Sequence, residues 1–134
     1  MIEGSEAMNG PIDTVNALVN AINRADIEGA LALYEPDAVL VPRPGQVARG
    51  AADLRAALAR FLALKPVLVS EAQQVVQSGD TALYLGRWEL RGTDENGDAV
   101  VLRGDSTDVL RCQPAGHWLV AIDNPWGAEL LGPR

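Results

Sequence analysis

Residues 100–112, VVLRGDSTDVLRC, decide how this chain is to be read. At the two-residue period of a β-strand their side chains divide into two unlike sets. Val100, Leu102, Gly104, Ser106, Asp108, Leu110 and Cys112 form one set, which reads as buried. Val101, Arg103, Asp105, Thr107, Val109, Arg111 and, one residue on, Gln113 form the other, which reads as wet. The buried set contains a carboxylate. An isolated charge is too costly in an apolar core, so Asp108 must be paired, hydrogen-bonded or protonated. That makes it the first candidate for a functional residue, with a structural acid tied to Arg or to backbone amides as the other reading.

The segments around this strand set its context. On the N-terminal side, Pro11 suits a first helical position, and Ile12, Val15, Leu18, Val19 and Ile22 repeat at helical spacing. Asp26 caps a second helix predicted over residues 27–35, which Pro36 stops. A short strand follows at 38–41 and ends at the PRPG of 42–45. A third helix begins after Gly50, with Leu54, Ala57, Leu58, Phe61 and Leu62 as its buried stripe, and Lys65-Pro66 closes it. From there the pattern is all strand: 67–77, then 81–92, the opening strand, and 117–123. Asn96-Gly97 is a strong hairpin signal. Helices followed by a four-strand meander give an α+β chain; its antiparallel sheet, if curved around the N-terminal helices, leaves an open end to the core.

Length and composition narrow the function. A chain of 134 residues, 48% hydrophobic and 22% charged, supports one globular domain with a real core. We assign residues 1–10 to a flexible tail and 11–134 to that domain. A net charge of −7 without a basic run argues against nucleic acid as a partner. No apolar run approaches the roughly 20 residues of a membrane span, and the N-terminus does not read as a signal peptide. The lone Cys112 allows no internal disulfide, so a reducing cytoplasm is the expected location.

Several phrases carry a resemblance: NRADIEGALALYEPDAVLVP, RGAADLRAAL, TDVLR before a turn, and HWLVAIDNPWG at the end. In this order, from about residue 11 to 127, they resemble the nuclear transport factor 2-like superfamily. This is a cone-shaped, cystatin-like fold that includes ketosteroid isomerase and SnoaL-like polyketide cyclases. The resemblance implies a cavity at the open end of the cone, and a homodimer formed through the sheet. In the isomerase-like members an aspartate at the position of Asp108 stays protonated and donates a hydrogen bond to a developing enolate, a pattern the physics of buried acids supports. The rest of that apparatus does not carry over. Pro42 stands where the general base would be, Leu18 where the oxyanion-hole tyrosine would be, and Leu58 approximately where its supporting tyrosine would be. Steroid isomerisation by the family mechanism is therefore not expected.

Asp123 is the second candidate. Its strand is apolar on both faces, so parity leaves open whether it turns inward as a base or outward as a cap. Tyr34, at the end of the second helix, either places its hydroxyl in the cavity or packs with it satisfied. Trp88 reads as cavity wall or core, and Trp126 as pocket rim, core or dimer contact. Ser106 and Leu110 share the face of Asp108 and complete the expected pocket lining. A limonene epoxide hydrolase-like set of Arg103, Asp105 and Asp123 requires a β-bulge to bring the wet-face pair inward.

No cofactor or metal is expected. His117 is the only histidine, and Ala99 replaces the glycine a calcium loop would need at DENGDA. The expected protein takes a small apolar organic ligand, by cofactor-free proton transfer of isomerase, dehydratase or cyclase type. The alternative is a non-catalytic binding or dimerisation module.

Overall fold

Pro11 opens helix α1 (Pro11–Asn23), at the position where its missing N–H would have had no helical partner. Asp13 returns its carboxylate to the Gly10 amide at 3.2 Å. The computed structural model describes residues 10–134, so the expected tail, apart from Gly10, lies outside the described residues. Val15 and Leu18 are buried, as the spacing predicts, Ile12, Val19 and Ile22 are partly buried against the same core, and Ala21 is buried as well. After Ala25, in the left-handed region, Asp26 accepts from the Gly29 amide at 2.9 Å and caps α2 (Ile27–Leu31).

Helix α2 is shorter than expected. The chain is already extended at Tyr34, the first residue of β1 (Tyr34–Leu40), so Pro36 lies inside a strand and does not stop a helix. A proline offers the ladder no donor, and the pairing of β1 with its neighbour jumps from Tyr34 to Val39 across it. A two-residue strand β2 (Ala48–Arg49) and a terminal 3-10 helix (Gly127–Leu131) were not expected. Helix α3 (Gly50–Leu62) buries Leu54, Ala57 and Leu58.

Four strands follow: β3 (Val67–Ser78), β4 (Thr81–Thr93), β5 (Ala99–Cys112) and β6 (Trp118–Asp123). Asn96-Gly97 makes the β4–β5 turn. Gly97 takes a φ of 84°, and the Asp94 carboxylate accepts from the amides of Asn96 and Asp98, both at 2.9 Å. The sheet order is β2-β1-β6-β5-β4-β3. Strands β3 to β6 form the expected antiparallel meander, whereas β1 joins β6 in parallel, so the six-stranded sheet is mixed.

The sheet is curved and unclosed, with α1 against β3 and β6, and α3 against β1. The Asn23 side chain clips α1 to β3, donating to the Leu68 carbonyl at 2.9 Å and accepting from its amide at 2.7 Å. Leu40, Leu54, Leu110 and Val120 are the largest fully buried side chains of the core. The parity of β5 holds: Ser106, Asp108 and Leu110 are buried, and Val101, Arg103 and Asp105 are exposed. No helix among the described residues is long and apolar enough to cross a membrane.

Candidate functional site

A single extra residue in β6 builds the site. Leu110 pairs with Val120, but the next residue back along β5, Val109, pairs with Ile122. Ala121 is therefore bulged, and everything beyond it changes face. Without the bulge Trp118, Val120 and Ile122 would point inward and Asp123 outward. With it Ile122 turns to the outer face, 42% exposed, and Asp123 turns inward, 9% exposed. Asp123 then shares the interior with Asp108.

The two acids form a hydrogen-bonded set. The Tyr34 hydroxyl donates to Asp123 Oδ2 at 2.6 Å, and the Asn124 amide donates to Asp108 Oδ1 at 2.8 Å. Asp108 and Asp123 are hydrogen-bonded to each other. Burial pushes the Asp108 carboxyl well above its ordinary range, the charge of Asp123 pushes it further, and the Asn124 amide opposes both. Burial also raises Asp123, against the hydrogen bonds from Tyr34 and Asp108 that favour its charged form. Of the two carboxyls Asp108 is the one pushed more strongly toward its protonated form, while the hydrogen bonds from Tyr34 and Asp108 favour the charged form of Asp123. Burial, then Asp123's charge, lifts the Tyr34 phenol well above its usual range and keeps it a donor.

Strand β4 supplies the facing wall. Tyr84 lies directly opposite Asp108 in the ladder. Its ring leans over Gly86, where a Cβ would stand 2.5 Å from the hydroxyl, so the glycine makes room for it. That hydroxyl accepts from Gln73 Nε2 at 2.9 Å, and burial raises its pKa. Trp88 lies over Gly104 in the same way and donates to the Pro125 carbonyl at 2.8 Å. Ser106 donates to the Gly86 carbonyl at 3.2 Å. The cavity measures about 110 Å³ and is open at one side, with Leu18, Phe61 and Leu90 among its apolar walls and Asp108, Asp123, Tyr34, Tyr84, Ser70 and Ser106 as its polar groups.

Of the residues expected at the site, Asp108, Asp123, Tyr34, Trp88 and Ser106 meet at this cavity. Leu110 does not. It is fully buried in the core away from the cavity, because strand period fixes a face but not a position along the strand. Trp126 does not line the cavity either. It packs outside, edge-on against Trp88 at 5.3 Å, and donates to the Pro42 carbonyl at 3.1 Å. Tyr84 and the Asn124 amide were missed as functional groups. The signal available in the sequence was the two-residue period of β4, which puts Tyr84 on the same face as Trp88.

The Arg103, Asp105 and Asp123 set does not assemble. Arg103 pairs with Glu89 at 2.8 Å and Asp105 with Arg87 at 3.0 Å, all on the outer face, while Asp123 is inside. The bulge that this set required in β5 is absent, since β5 stays in regular register with β4 through Arg103 and Asp105; the bulge in β6 moves only Asp123 of the three. Among the described residues no three His, Cys, Asp or Glu side chains are placed to hold a metal ion.

A family model described as a SnoaL-like domain matches residues 15–119. No curated protein matches the chain at a significant level. Among solved structures, a ketosteroid isomerase-like protein from Erwinia carotovora atroseptica is 27% identical, over 87% of this chain and 91% of its own, with a TM-score of 0.75. A nuclear transport factor 2-like protein with a cystatin-like fold from Novosphingobium aromaticivorans is 18% identical, covering 83% of this chain and 75% of its own, with a TM-score of 0.70. SalBIII, an epoxide hydrolase/cyclase-like enzyme of pyran ring formation in the polyether salinomycin, is 16% identical over 83% and 84%, with a TM-score of 0.66. The last two establish likeness of fold.

Proposed function

Because the chain belongs to the SnoaL-like domain family, a group of ketosteroid isomerase-like folds, we propose that it is a cofactor-free pocket protein that moves a proton on a small, largely apolar organic molecule. The observation that carries this reading is the buried Asp108–Asp123 pair lining an apolar cavity, with the Tyr34 hydroxyl donating to Asp123 and the Asn124 amide to Asp108; on this reading the two carboxyls share one proton. An acid and a base of opposite protonation state, side by side, are what isomerase, dehydratase or cyclase-type chemistry needs. Asp108 donates its hydrogen bond, or its proton, to a carbonyl or hydroxyl oxygen. Asp123 accepts a proton from carbon and returns it at another position, so the pair ends as it began. Tyr34 holds Asp123 in place, and the Tyr84 hydroxyl stands over Gly86 as a second group for the substrate oxygen. A cavity of about 110 Å³ restricts the reacting part to a few heavy atoms, since a cavity of about 150 Å³ takes benzene.

One observation favours the alternative of a non-catalytic binding module. No buried side-chain polar atom among the described residues lacks a partner, so the acid pair is already satisfied without a ligand. Deuterium exchange separates the two readings. Butanone in heavy water, followed by proton NMR, should lose its α-protons faster with the protein than in buffer, and Asp123→Asn should abolish the gain. Binding of the ketone with no acceleration would leave the binding module.

The outer face of the sheet carries the proposed partner surface. Val76, Leu83, Val109 and Ile122 are successive ladder partners across β3, β4, β5 and β6. Val76 is 60% exposed, and Leu83 and Ile122 are each 42% exposed. The ion pairs Arg87–Asp105 and Glu89–Arg103 lie further along the same face, beyond Leu85. A second copy of the chain laid on this face buries the row and gives the expected homodimer.

A further inference from the structure

Phe61 has a second side. Beyond the cavity it forms, with Trp126, Leu102, Arg43, Arg60 and Gln46, part of a groove of about 430 Å³ between the 42–46 loop and the end of α3. The indole N–H of Trp126, bonded to the Pro42 carbonyl, ties the two loops that make its wall.

The charge of this groove is out of keeping with the rest of the molecule. The chain has a net charge of −7, and Arg24, Arg55, Arg87, Arg91, Arg103 and Arg111 each have a carboxylate within 4 Å. Arg43, Arg49, Arg60, Lys65 and Arg134 have none among the described residues; of these Arg43 and Arg60, both exposed, come together in this groove, and no Asp or Glu lines it. The neighbouring groove between Trp88 and Trp126 makes the contrast. It holds Arg87 and Arg103, but with Glu71, Asp105 and Glu129 among them.

We propose that the Arg43–Arg60 groove is an anion subsite, sharing Phe61 with the inner cavity, that takes the carboxylate or phosphate of an elongated apolar molecule. The apolar end enters past Phe61 toward Asp108 and Asp123. The anion stays in water's reach between the guanidinium groups, and the Trp126 and Leu102 side chains cover the intervening stem. This deepens the reading of the cavity as a pocket for an apolar molecule and rests on it. It also defines the substrate class: an acid or phosphate ester with an apolar body, not a neutral hydrocarbon ketone.

Calorimetric titration of the full chain with octanoate, octyl phosphate and 1-octanol tests it, with the exposed pair replaced as Arg43→Gln/Arg60→Gln. Octanoate should bind the native chain more tightly than octanol. The double substitution should weaken octanoate by about fivefold to tenfold, the effect of two exposed charge-assisted contacts, and leave octanol and the thermal melt unchanged. A greater loss for octyl phosphate than for octanoate assigns the subsite to phosphate, and the reverse assigns it to carboxylate. Octanol binding with octanoate insensitive to the substitutions overturns the subsite and leaves the cavity reading standing. Octanoate binding that needs the arginines, with no octanol binding, overturns the cavity reading alone. Failure of all three ligands overturns both.

Discussion

Asp123 faces Asp108 because Ala121 is bulged. One residue inserted in β6, where Val109 pairs with Ile122 and Leu110 with Val120, changes which face the last acid takes. The bulge converts what would be a surface carboxylate into the partner of a buried one.

Deleting Ala121 should therefore dismantle the site without removing either acid. The regular register returns Ile122 to the interior and sends Asp123 to solvent. The expected readout is an Asp108 that has lost the charge of its neighbour, and an ordinary Asp123. Carboxyl NMR of the deletion variant checks it. An unchanged titration of both acids would show that the bulge does not place them.

Asp108→Asn should leave the fold intact, because the amide can accept from Asn124 and donate to Asp123 in place of the protonated acid. Its effect on stability depends on pH. The folded pKa of Asp108 is raised, so its contribution is fully present below the unfolded value of about 3.9 and is lost as pH rises toward the folded value. The loss reaches at most about 1.4 kcal/mol per pH unit. The variant lacks this term, so it should gain on the native chain from pH 4 upward in urea unfolding. A variant that falls further behind as pH rises would mark Asp108 as an ionised, paired carboxylate.

Gly86→Ala should close the cavity. The new Cβ meets the Tyr84 hydroxyl at 2.5 Å and its ring at 2.6 Å, and the backbone cannot yield within a strand paired on both sides. The ring must swing off Gly86, at a cost of about 1–3 kcal/mol. The measurement is ligand binding beside the melting temperature: binding should fall by more than the stability change explains. Unchanged binding would put the ligand elsewhere.

Much of this was legible in the sequence, for identifiable reasons. Strand β5 has one dry and one wet face, so its parity placed Asp108 inward and Arg103 and Asp105 outward, as found. Strand β6 is apolar on both faces, and the position of Asp123 depends on a register between two strands that no single-strand pattern contains. Tyr34 was assigned to the wrong element, since ALALY keeps helical spacing and Pro36 reads as a stop; in the fold that proline sits in a strand whose pairing skips it. Leu110 and Trp126 show the other limit. Periodicity and residue type give a face or a preference for contact, but not depth in a cavity or the side of a loop from which it is reached.

Leu83→Lys tests the outer face. Leu83 lies at the middle of the apolar row, between Val76 and Val109. A lysine there should turn a dimer into a monomer in light scattering with no change in the far-ultraviolet spectrum, since the side chain touches no core residue on that face. A native chain that is already monomeric at high concentration would remove the proposed interface.

The claim at the centre of this account is that two buried carboxyls share one proton at neutral pH. Carbon-13 carboxyl titration of the native chain, with Asp108→Asn and Asp123→Asn to assign the signals, tests it most directly. The account predicts that Asp108 remains protonated well above the ordinary carboxylate range of about 3.9, and that Asp123→Asn lowers its pKa without restoring that range, because burial, the larger cause, remains. If both carboxyls titrate at or below the ordinary range, no shared proton exists and the proposed acid–base chemistry falls with it.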